Sequence, residues 1–418
     1  MEYKKIKRDG YTLHLVNTNR FKSINIVIFL TKIFNKNDIP YGRLLTQNLC
    51  YTSKKYNTKS KVATKVEDLY GIKCSASFGM TGSCESFIFN LSLLNYKYVD
   101  KKYLKESISY FEEMIFNPNV QNGHFNDEYF DMLKKELISS IKAIKDNPRT
   151  YASIEYAKHM YKGTPGEYSI YPKIEDIESI SSTDLYDFYK TIFNSNYKID
   201  IAVLGEVDND FIKELNPILR HLNGVDEKLS FKVEHKYNDK LVTKIDSLPY
   251  NQSRLYMGYR LNDLTFHEMN HVMRIYNTIL GTMNDSILFN VVRESNSLCY
   301  SIGSYYSKYN PSLTIYAGIN KKNYEKTVEL IKQCVNDMNE KKNIQKLFDS
   351  AKKTINTYLN NYYDDLSLQI DSYYNREFEE VEDVETLREN INKVTIDEVV
   401  ELNKKIKLST IYLLKGDN

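Results

Sequence analysis

A literal His-Glu-x-x-His motif is the most evident candidate for metal chemistry in this sequence. It consists of His267, Glu268 and His271. On a helix, two histidines four residues apart lie on one face and can bind zinc, while the glutamate between them can deprotonate a zinc-bound water. Glu294 follows later in the chain and is available as a third ligand. This pattern defines one hypothesis, a self-sufficient zinc protease.

The surroundings of this motif favour a structural role instead. Thr265 or Asp263 can cap a helix that begins here, and an acid in the first turn, such as Glu268, interacts favourably with the helix dipole. Apolar residues at positions 272, 275, 279 and 280 form the core face of that helix and leave both histidines to the side. Glu294 adjoins Arg293, which suits an ion pair. The zinc protease is therefore kept as an alternative.

The elements that position such residues are strands and helices in alternation. Runs rich in Ile, Val, Tyr and Phe predict strands at Tyr11–Val16, Ser23–Leu30, Ser86–Leu93, Ile199–Leu204, Ser253–Tyr259, Ser312–Gly318 and Ser409–Leu414. Apolar residues at three- and four-residue spacing predict the longer helices, among them Phe125–Lys145, Ser182–Ile192, His267–Leu280, Asn323–Met338 and Lys346–Tyr362. This mixture predicts an α+β protein.

The order of these segments occurs twice, which indicates a duplication. The strand at Ser23–Leu30 corresponds to the strand at Ser253–Tyr259, and each half closes with a helix that leads into a buried strand ending in glycine, at Gly205 and Gly416. We therefore predict two homologous domains, each a mostly antiparallel sheet with helices on one face. Residues 1–222 form the first and residues 249–418 the second, joined by a charged, weakly periodic linker at 223–248.

A duplicated α+β chain with these landmarks resembles the inverted-zincin (pitrilysin/insulinase-type) peptidase superfamily, which includes insulin-degrading enzyme and mitochondrial processing peptidase. The most specific stretches are YNTILG at 276–281 and SILFNVVRESNSLCYS at 286–301, supported in the first half by LYGIKCSA at 69–76 and IFNP at 115–118. The resemblance is greatest to the bacterial paired subunits that lack the zinc motif. It implies a chain that forms half of a clam-shell with a catalytic partner.

The resemblance also locates the zinc chemistry that this chain lacks. Active members carry His-x-x-Glu-His on their first long helix, where the histidines bind zinc and the glutamate activates water. The matching positions here are Arg43, Thr46 and Gln47. Arginine stays protonated and cannot ligate zinc, and neither threonine nor glutamine replaces the base. Glu136 matches the later acidic ligand, but a single carboxylate does not hold the metal. We therefore predict no catalytic residue, metal or cofactor in this chain, and zinc in the partner.

Two further residues acquire a role through the resemblance. In paired members the second domain supplies an arginine and a tyrosine that reach the partner's zinc site, and the matching residues are Arg293 and Tyr300. An arginine can hold a substrate carbonyl or carboxylate, and a tyrosine hydroxyl can donate to a developing oxyanion. The alternative is structural, with Arg293 paired to Glu294 and Tyr300 half-buried in a strand.

Composition narrows the function classes. With 57 Lys+Arg against 55 Asp+Glu, the chain has no basic excess for nucleic acid, and no apolar run is long enough to span a membrane. Five cysteines without zinc-type spacing indicate reduced thiols, and the sequence predicts a cytoplasmic, bacterial protein.

The leading hypothesis is a pseudo-peptidase subunit that positions a peptide for a catalytic His-x-x-Glu-His partner in a heterodimer. The alternatives are a peptide-binding scaffold in a peptide-modification system and the zinc protease with His267, Glu268 and His271.

Overall fold

A computed structural model describes residues 2–193, 196–234 and 240–417, with the side chains of Lys101, Asn209 and Asp210 left out. The chain divides into two compact units. Unit 1 contains residues 1–143, 169–231 and 364–381, and unit 2 contains residues 144–168, 232–363 and 382–418. Two segments, 144–168 and 364–381, therefore belong to the unit opposite to the sequence half in which they occur.

Unit 1 is built on a six-stranded sheet with the order β1-β2-β8-β3-β5-β4. The strands are β1 (Glu2–Arg8), β2 (Tyr11–Asn17), β3 (Ser23–Ile33), β4 (Lys73–Thr81), β5 (Cys84–Leu94) and β8 (Lys198–Gly205). A separate two-stranded ribbon consists of β6 (Val120–Gln121) and β7 (His124–Phe125). Every pair in the large sheet is antiparallel except β2 with β8, which is parallel.

Helices of the first half cover one face of this sheet. In chain order they are α1 (Asp38–Asn48), α2 (Lys59–Asp68), α3 (Lys101–Phe116), α4 (Asp127–Lys142), α6 (Ile174–Glu178), α7 (Ser182–Ile192), α8 (Asn209–Glu214) and α9 (Asn216–Leu219). Their apolar residues pack against one set of alternating β3 side chains, including Ile24, Ile26 and Ile28. Alternation along a strand places these side chains on a single face, which defines the core of unit 1.

Unit 2 repeats this arrangement with the strand order β11-β12-β10-β13-β9. The strands are β9 (Val242–Ser247), β10 (Ser253–Leu261), β11 (Cys299–Ser307), β12 (Ser312–Ile319) and β13 (Ile406–Lys415). Only β13 with β9 is parallel, at the position of the parallel pair in unit 1. Five strands thus match in order and direction, and the predicted α+β fold with two mostly antiparallel sheets is confirmed.

The helical layer of unit 2 begins with a continuous stretch whose segments are Glu268–Val272, α10 (Met273–Asn277) and Thr278–Thr282. It continues with a helical segment at Phe289–Ser295 and with α11 (Tyr324–Asp337), α12 (Lys341–Asn360), α14 (Val384–Lys393) and α15 (Ile396–Asn403). These elements bury their apolar residues with Leu255, Met257 and Tyr259 of β10. The predicted helices on one face of the sheet are therefore present.

Each sheet also carries one helix on its opposite face, which the sequence did not predict. In unit 2, Ala152, Tyr156 and Met160 of α5 (Pro148–Met160) pack with Tyr256 and Tyr412. In unit 1, Tyr374 of α13 (Leu366–Asn375) stacks on Phe29, with ring centroids 3.9 Å apart. In both units, aromatic side chains of the helix pack against aromatic side chains on this second face of the sheet.

The predicted linker contains more structure than its composition indicated. Residues 223–234 lack helix and strand, residues 235–239 lie outside the described part, and residues 242–247, predicted as linker, form β9. The peptide nitrogen of Ser83 donates to the carbonyl of Phe231, which fixes the start of this segment on unit 1. Among the described residues, no helix is both long and apolar enough to cross a lipid bilayer.

Candidate functional site

The positions that match the zinc motif lie together on α1 of unit 1. Arg43 and Gln47 are one helical turn apart, so their side chains share a face. The guanidinium of Arg43 lies 5.8 Å from the centre of the Tyr171 ring, while Nε of Arg43 and Oε1 of Gln47 are buried without a hydrogen-bond partner among the described residues. The Thr46 hydroxyl donates to the carbonyl of Gly42 at 2.8 Å. These groups offer neither a metal ligand nor a base, since an arginine stays protonated.

The literal His-Glu-x-x-His motif has its polar atoms engaged in unit 2. Nε2 of His267 is 2.7 Å from Glu398, and Nε2 of His271 is 2.6 Å from Glu382. The two Nδ1 atoms are 2.9 Å apart, a hydrogen-bond distance. The histidines therefore form a chain of hydrogen bonds that connects their helix to Glu382, which lies just before α14, and to Glu398 on α15.

Glu268, which would be the base of a zinc protease, forms an ion pair and a helix cap. Its carboxylate pairs with Lys405 at 2.7 Å and accepts the peptide N–H of Thr265 at 2.8 Å. The Thr265 hydroxyl in turn accepts from the Glu268 N–H at 3.2 Å, so the two residues cap the helix reciprocally. Burial raises the pKa of Glu268, but the bonds from Lys405 and Thr265 outweigh burial and lower it overall. A carboxylate held in this way favours the structural interpretation of the motif.

Arg293 and Tyr300 flank the turn that leads into edge strand β11. Arg293 belongs to the helical segment Phe289–Ser295, and its guanidinium lies 4.7 Å from the centre of the Phe289 ring. Its Nε is 3.7 Å from Glu294, and both side chains are about half exposed. Ser297 adopts a positive φ of 52° between the helix and the strand. The ion pair predicted as the structural alternative is thus present but long and open to solvent.

Tyr300 projects from a bulge rather than lying half-buried in the sheet. The pairing of β11 with β12 shifts between Cys299 and Ser301, so Tyr300 has no partner in the ladder. A bulge of this kind changes the direction in which a side chain points. Tyr300 is 73% exposed, more than any other large hydrophobic residue found exposed in the described part. Its hydroxyl is therefore available to a ligand, in contrast to the half-buried alternative.

Arg293 also lines a cavity of about 400 Å³ that lies wholly within unit 2. The loop at 281–286 forms one wall, and strands β10, β11 and β12 form the others through residues such as Tyr256, Ser301 and Tyr316. Two more arginines line it, Arg149 from α5 and Arg254 from β10. Sequence reasoning identified only Arg293, because nothing local distinguishes the other two arginines from ordinary surface residues.

A second cluster of titratable groups is buried in unit 1. One ligand atom each of His14, Asp200 and Glu377 lie within 4.8 Å of one another, a spacing that a metal could bridge. However, Nζ of Lys198 is 3.2 Å from Asp200 and 3.3 Å from Glu377, so an ammonium group already lies between the carboxylates. Lys5 also pairs with Glu377. We interpret this cluster as a charge-balanced ion network that holds segment 364–381 to the sheet.

Comparisons with known proteins relate this chain to the M16 peptidases. Residues 179–355 match the family model described as "Peptidase M16 inactive domain". The chain is 25% identical to the "Probable inactive metalloprotease YmfF" of Bacillus subtilis, over 99% of this chain and 97% of that relative.

Solved structures show the same fold. A conserved protein from Enterococcus faecalis superimposes with a TM-score of 0.91 at 21% identity, over 99% of both chains. A structure described as peptidase M16 inactive domain, from Pseudomonas fluorescens, superimposes with a TM-score of 0.78 at 15% identity, over 100% of this chain and 99% of that one. The predicted resemblance to the pitrilysin/insulinase-type superfamily, and to its inactive members, is confirmed.

Proposed function

We propose that this chain is the non-catalytic subunit of a heterodimeric zinc peptidase and positions a peptide for cleavage by a partner with an intact His-x-x-Glu-His motif. One observation carries the proposal. The chain presents Arg293 and a fully projecting Tyr300 beside an edge strand, while α1 has Arg43, Thr46 and Gln47 at the positions of the zinc motif. The groups for holding a substrate are kept, and those for the reaction are replaced.

The edge strand supplies a way of binding a peptide that needs no particular side chain. β11 is the last strand of its sheet, and an extended peptide can add to such an edge through main-chain hydrogen bonds. A peptide bound there would pass Tyr300 and the cavity that Arg293 lines. The zinc and the base belong to the partner in this proposal, and the two chains together would enclose the peptide in a clam-shell. A cytoplasmic location remains a prediction.

Arg293 and Tyr300 suit a contribution to the partner's reaction. A guanidinium can bind a carbonyl or carboxylate through two parallel hydrogen bonds, and a phenol can donate to the oxyanion that forms during peptide hydrolysis. The contacts of Arg293 with Phe289 and Glu294 leave N–H groups of its guanidinium available to a ligand. The Arg293–Glu294 pair is long and half exposed, and such pairs contribute only about 0–1 kcal/mol to stability.

Reconstitution with a genomic neighbour that carries His-x-x-Glu-His tests this proposal. Arg293→Ala or Tyr300→Phe should lower turnover by the pair about 10²–10³-fold, the typical effect of losing one oxyanion donor. The melting temperature and assembly of the pair should not change. Tyr358→Phe is a matched control, since Tyr358 is 62% exposed on α12 and outside the cavity.

The outcomes also separate the rival function. If both variants cleave at the wild-type rate, Arg293 and Tyr300 do not act in trans, and the proposed role is wrong. Peptide binding with no cleavage by any neighbouring His-x-x-Glu-His protein would instead support the peptide-binding scaffold. The edge strand β11 is the observation that favours this second function, because peptide addition to a sheet edge does not require a protease.

A further inference from the structure

Three guanidinium groups converge on the cavity of unit 2 without matching acids. Arg149, Arg254 and Arg293 line it, and among the described lining residues none is Asp or Glu. Glu294, next to Arg293, lies 3.7 Å from its Nε, and it is itself more than half exposed. The chain as a whole carries a net charge of only +2, so this concentration of positive charge is local.

The arginines are held in place by neighbouring groups rather than left loose on the surface. The guanidinium of Arg149 lies 5.3 Å from the centre of the Tyr316 ring, and that of Arg293 lies 4.7 Å from the centre of the Phe289 ring. Both rings also line the cavity. Cation–π contacts of this kind orient a guanidinium while leaving its N–H groups free to donate.

Arg254 occupies space that exists only because residue 318 is a glycine. A Cβ at Gly318 would lie 2.6 Å from Nη1 of Arg254 and 2.9 Å from Oε1 of Gln252. Nε of Arg254 is buried and has no hydrogen-bond partner within the described residues. A buried donor without an acceptor is costly, and an anion in the cavity would remove that cost.

The lowered pKa of Arg254 is also consistent with a bound anion. Burial lowers the pKa of the Arg254 guanidinium, the neighbouring Tyr256 opposes this, and the positive charge of Arg149 lowers the pKa further. The two guanidinium groups repel each other in this partly enclosed space, and an anion bound between them would relieve that repulsion.

The remaining walls indicate what the anion is attached to. Most of the exposed lining is polar, and Met283, Phe289, Ile302 and Tyr316 contribute a smaller apolar part. Ser301 and Ile302 belong to edge strand β11, where an extended chain can pair through its backbone. A volume of about 400 Å³ lies within the usual range for a bound ligand, ~300–1,000 Å³. A free inorganic anion would not use the edge strand, whereas a peptide that carries a carboxylate would.

We propose that this cavity is a carboxylate-recognition site, in which Arg149, Arg254 and Arg293 bind an acidic side chain or the C-terminal carboxylate of a peptide lying along β11. The inference rests on the proposed function only for the peptide nature of the ligand. It makes the chain selective for acidic peptides, with Arg254 as the principal binding residue and Arg149 and Arg293 as further ones in the same lining.

Binding to the purified chain alone, with no protease partner, tests this proposal. The probes are three short, unstructured Ser/Thr/Val peptides, acetylated at the N-terminus. One has a central Glu and an amidated C-terminus, one has Gln and a free C-terminal carboxylate, and one has Gln and an amidated C-terminus. NMR of the arginine Nε–Hε groups detects binding as weak as about 1 mM. We expect the signals of Arg149, Arg254 and Arg293 to shift saturably with at least one of the two acidic peptides.

The neutral peptide and the variants supply the contrast. Hydrogen bonds to charged groups contribute about 1.5–3 kcal/mol, so the neutral peptide should bind ~10- to ~100-fold more weakly than the preferred acidic one. Arg254→Gln should weaken the acidic peptide by a similar factor and leave the neutral one unchanged. Arg220→Gln removes the same charge from an arginine that is 67% exposed and outside the cavity, and it should have no effect.

Each outcome decides the proposal. Preference for the internal Glu or for the free C-terminus identifies the source of the carboxylate, and either supports the site. Equal binding of acidic and neutral peptides, no binding of any peptide, or an Arg254→Gln chain that binds like the wild type would overturn it. Because no cleavage is measured, a failure here is distinct from a failure of the heterodimer, which the turnover of the reconstituted pair reports.

Discussion

Replacement of Asp200 by Asn tests whether the buried ion network of unit 1 holds its sheet together. Asp200 is fully buried on β8, with Oδ1 3.2 Å from both Nε2 of His14 and Nζ of Lys198. Lys198 is 91% buried and reaches Glu377 at 3.3 Å. The charges of the two lysines and the two carboxylates of the network balance. Asp200→Asn keeps the shape of the side chain and removes one negative charge.

The expected loss of stability follows from the burial of these charges. Removing one partner of a buried ion pair costs about 3–5 kcal/mol, because the other charge is left without compensation. Lys198 still has Glu377, so we expect the lower end, ~3 kcal/mol. For a unit of 150–250 residues, each kcal/mol lowers the melting temperature by about 2–4 °C, so the transition of unit 1 should fall by ~6–12 °C.

Calorimetry of the purified chain measures this shift, with Asp226→Asn as the matched control. Asp226 forms a 2.6 Å pair with Lys7, but its side chain is 77% exposed, so solvent screens the interaction and the melting temperature should not change. If Asp200→Asn melts at the temperature of Asp226→Asn, the buried network does not stabilise unit 1, and the reasoning is refuted.

Three further predictions concern pH, oxidation and the shape of the cavity. Burial raises the pKa of Glu377, but the bond from Lys5 and the charge of Lys198 outweigh it, so the pKa is lowered. The stability from Glu377 is therefore complete above its unfolded value, ~4.3, and is lost as the pH falls through the lower folded value. Glu377→Gln should remove this part of the acid sensitivity in pH-dependent melting, and an unchanged profile would contradict the assignment. The thiol of Cys74 lies 3.2 Å from the Cys50 sulfur and has a raised pKa, caused first by that hydrogen bond and then by burial. Diamide should therefore join this pair slowly, and mass spectrometry showing a disulfide elsewhere in the native protein would refute the pairing. Gly318→Ala should displace the Arg254 guanidinium and weaken acidic-peptide binding while changing the free energy of unfolding by less than ~1 kcal/mol. Unaltered binding would show that the position of the guanidinium is not critical.

Local patterns in the sequence predicted the fold class. The strands at Ser23 and Ser253 were recognisable by their β-branched and aromatic content, and the duplication they indicated appears as a shared strand order. The absence of a zinc motif on α1 could be predicted from the residue types at the motif positions alone. Arg293 and Tyr300 were assigned through the family resemblance of one specific stretch, and their role stays a prediction, to which the structure adds the bulge at Tyr300.

What the sequence did not predict depends on long-range packing. Tyr156 and Met160 are four residues apart, which indicates a helix, but nothing local shows that α5 packs on the sheet of unit 2 rather than that of unit 1. That placement brings Arg149 to the cavity. The same holds for Glu377, which reaches His14 only because segment 364–381 joins unit 1. The literal motif at His267 remains an alternative that rests on residue types, and the structure adds that its partners are carboxylates and a lysine.

Zinc content and peptide cleavage of the purified chain alone test the central claim, that this is a non-catalytic subunit, most directly. With Arg43, Thr46 and Gln47 on α1, and with Glu268 bound to Lys405, we predict no stoichiometric zinc by elemental analysis and no cleavage of unfolded peptides. One zinc per chain that is lost in His271→Ala, together with cleavage that disappears in the same variant, would contradict the account and establish a self-sufficient zinc protease.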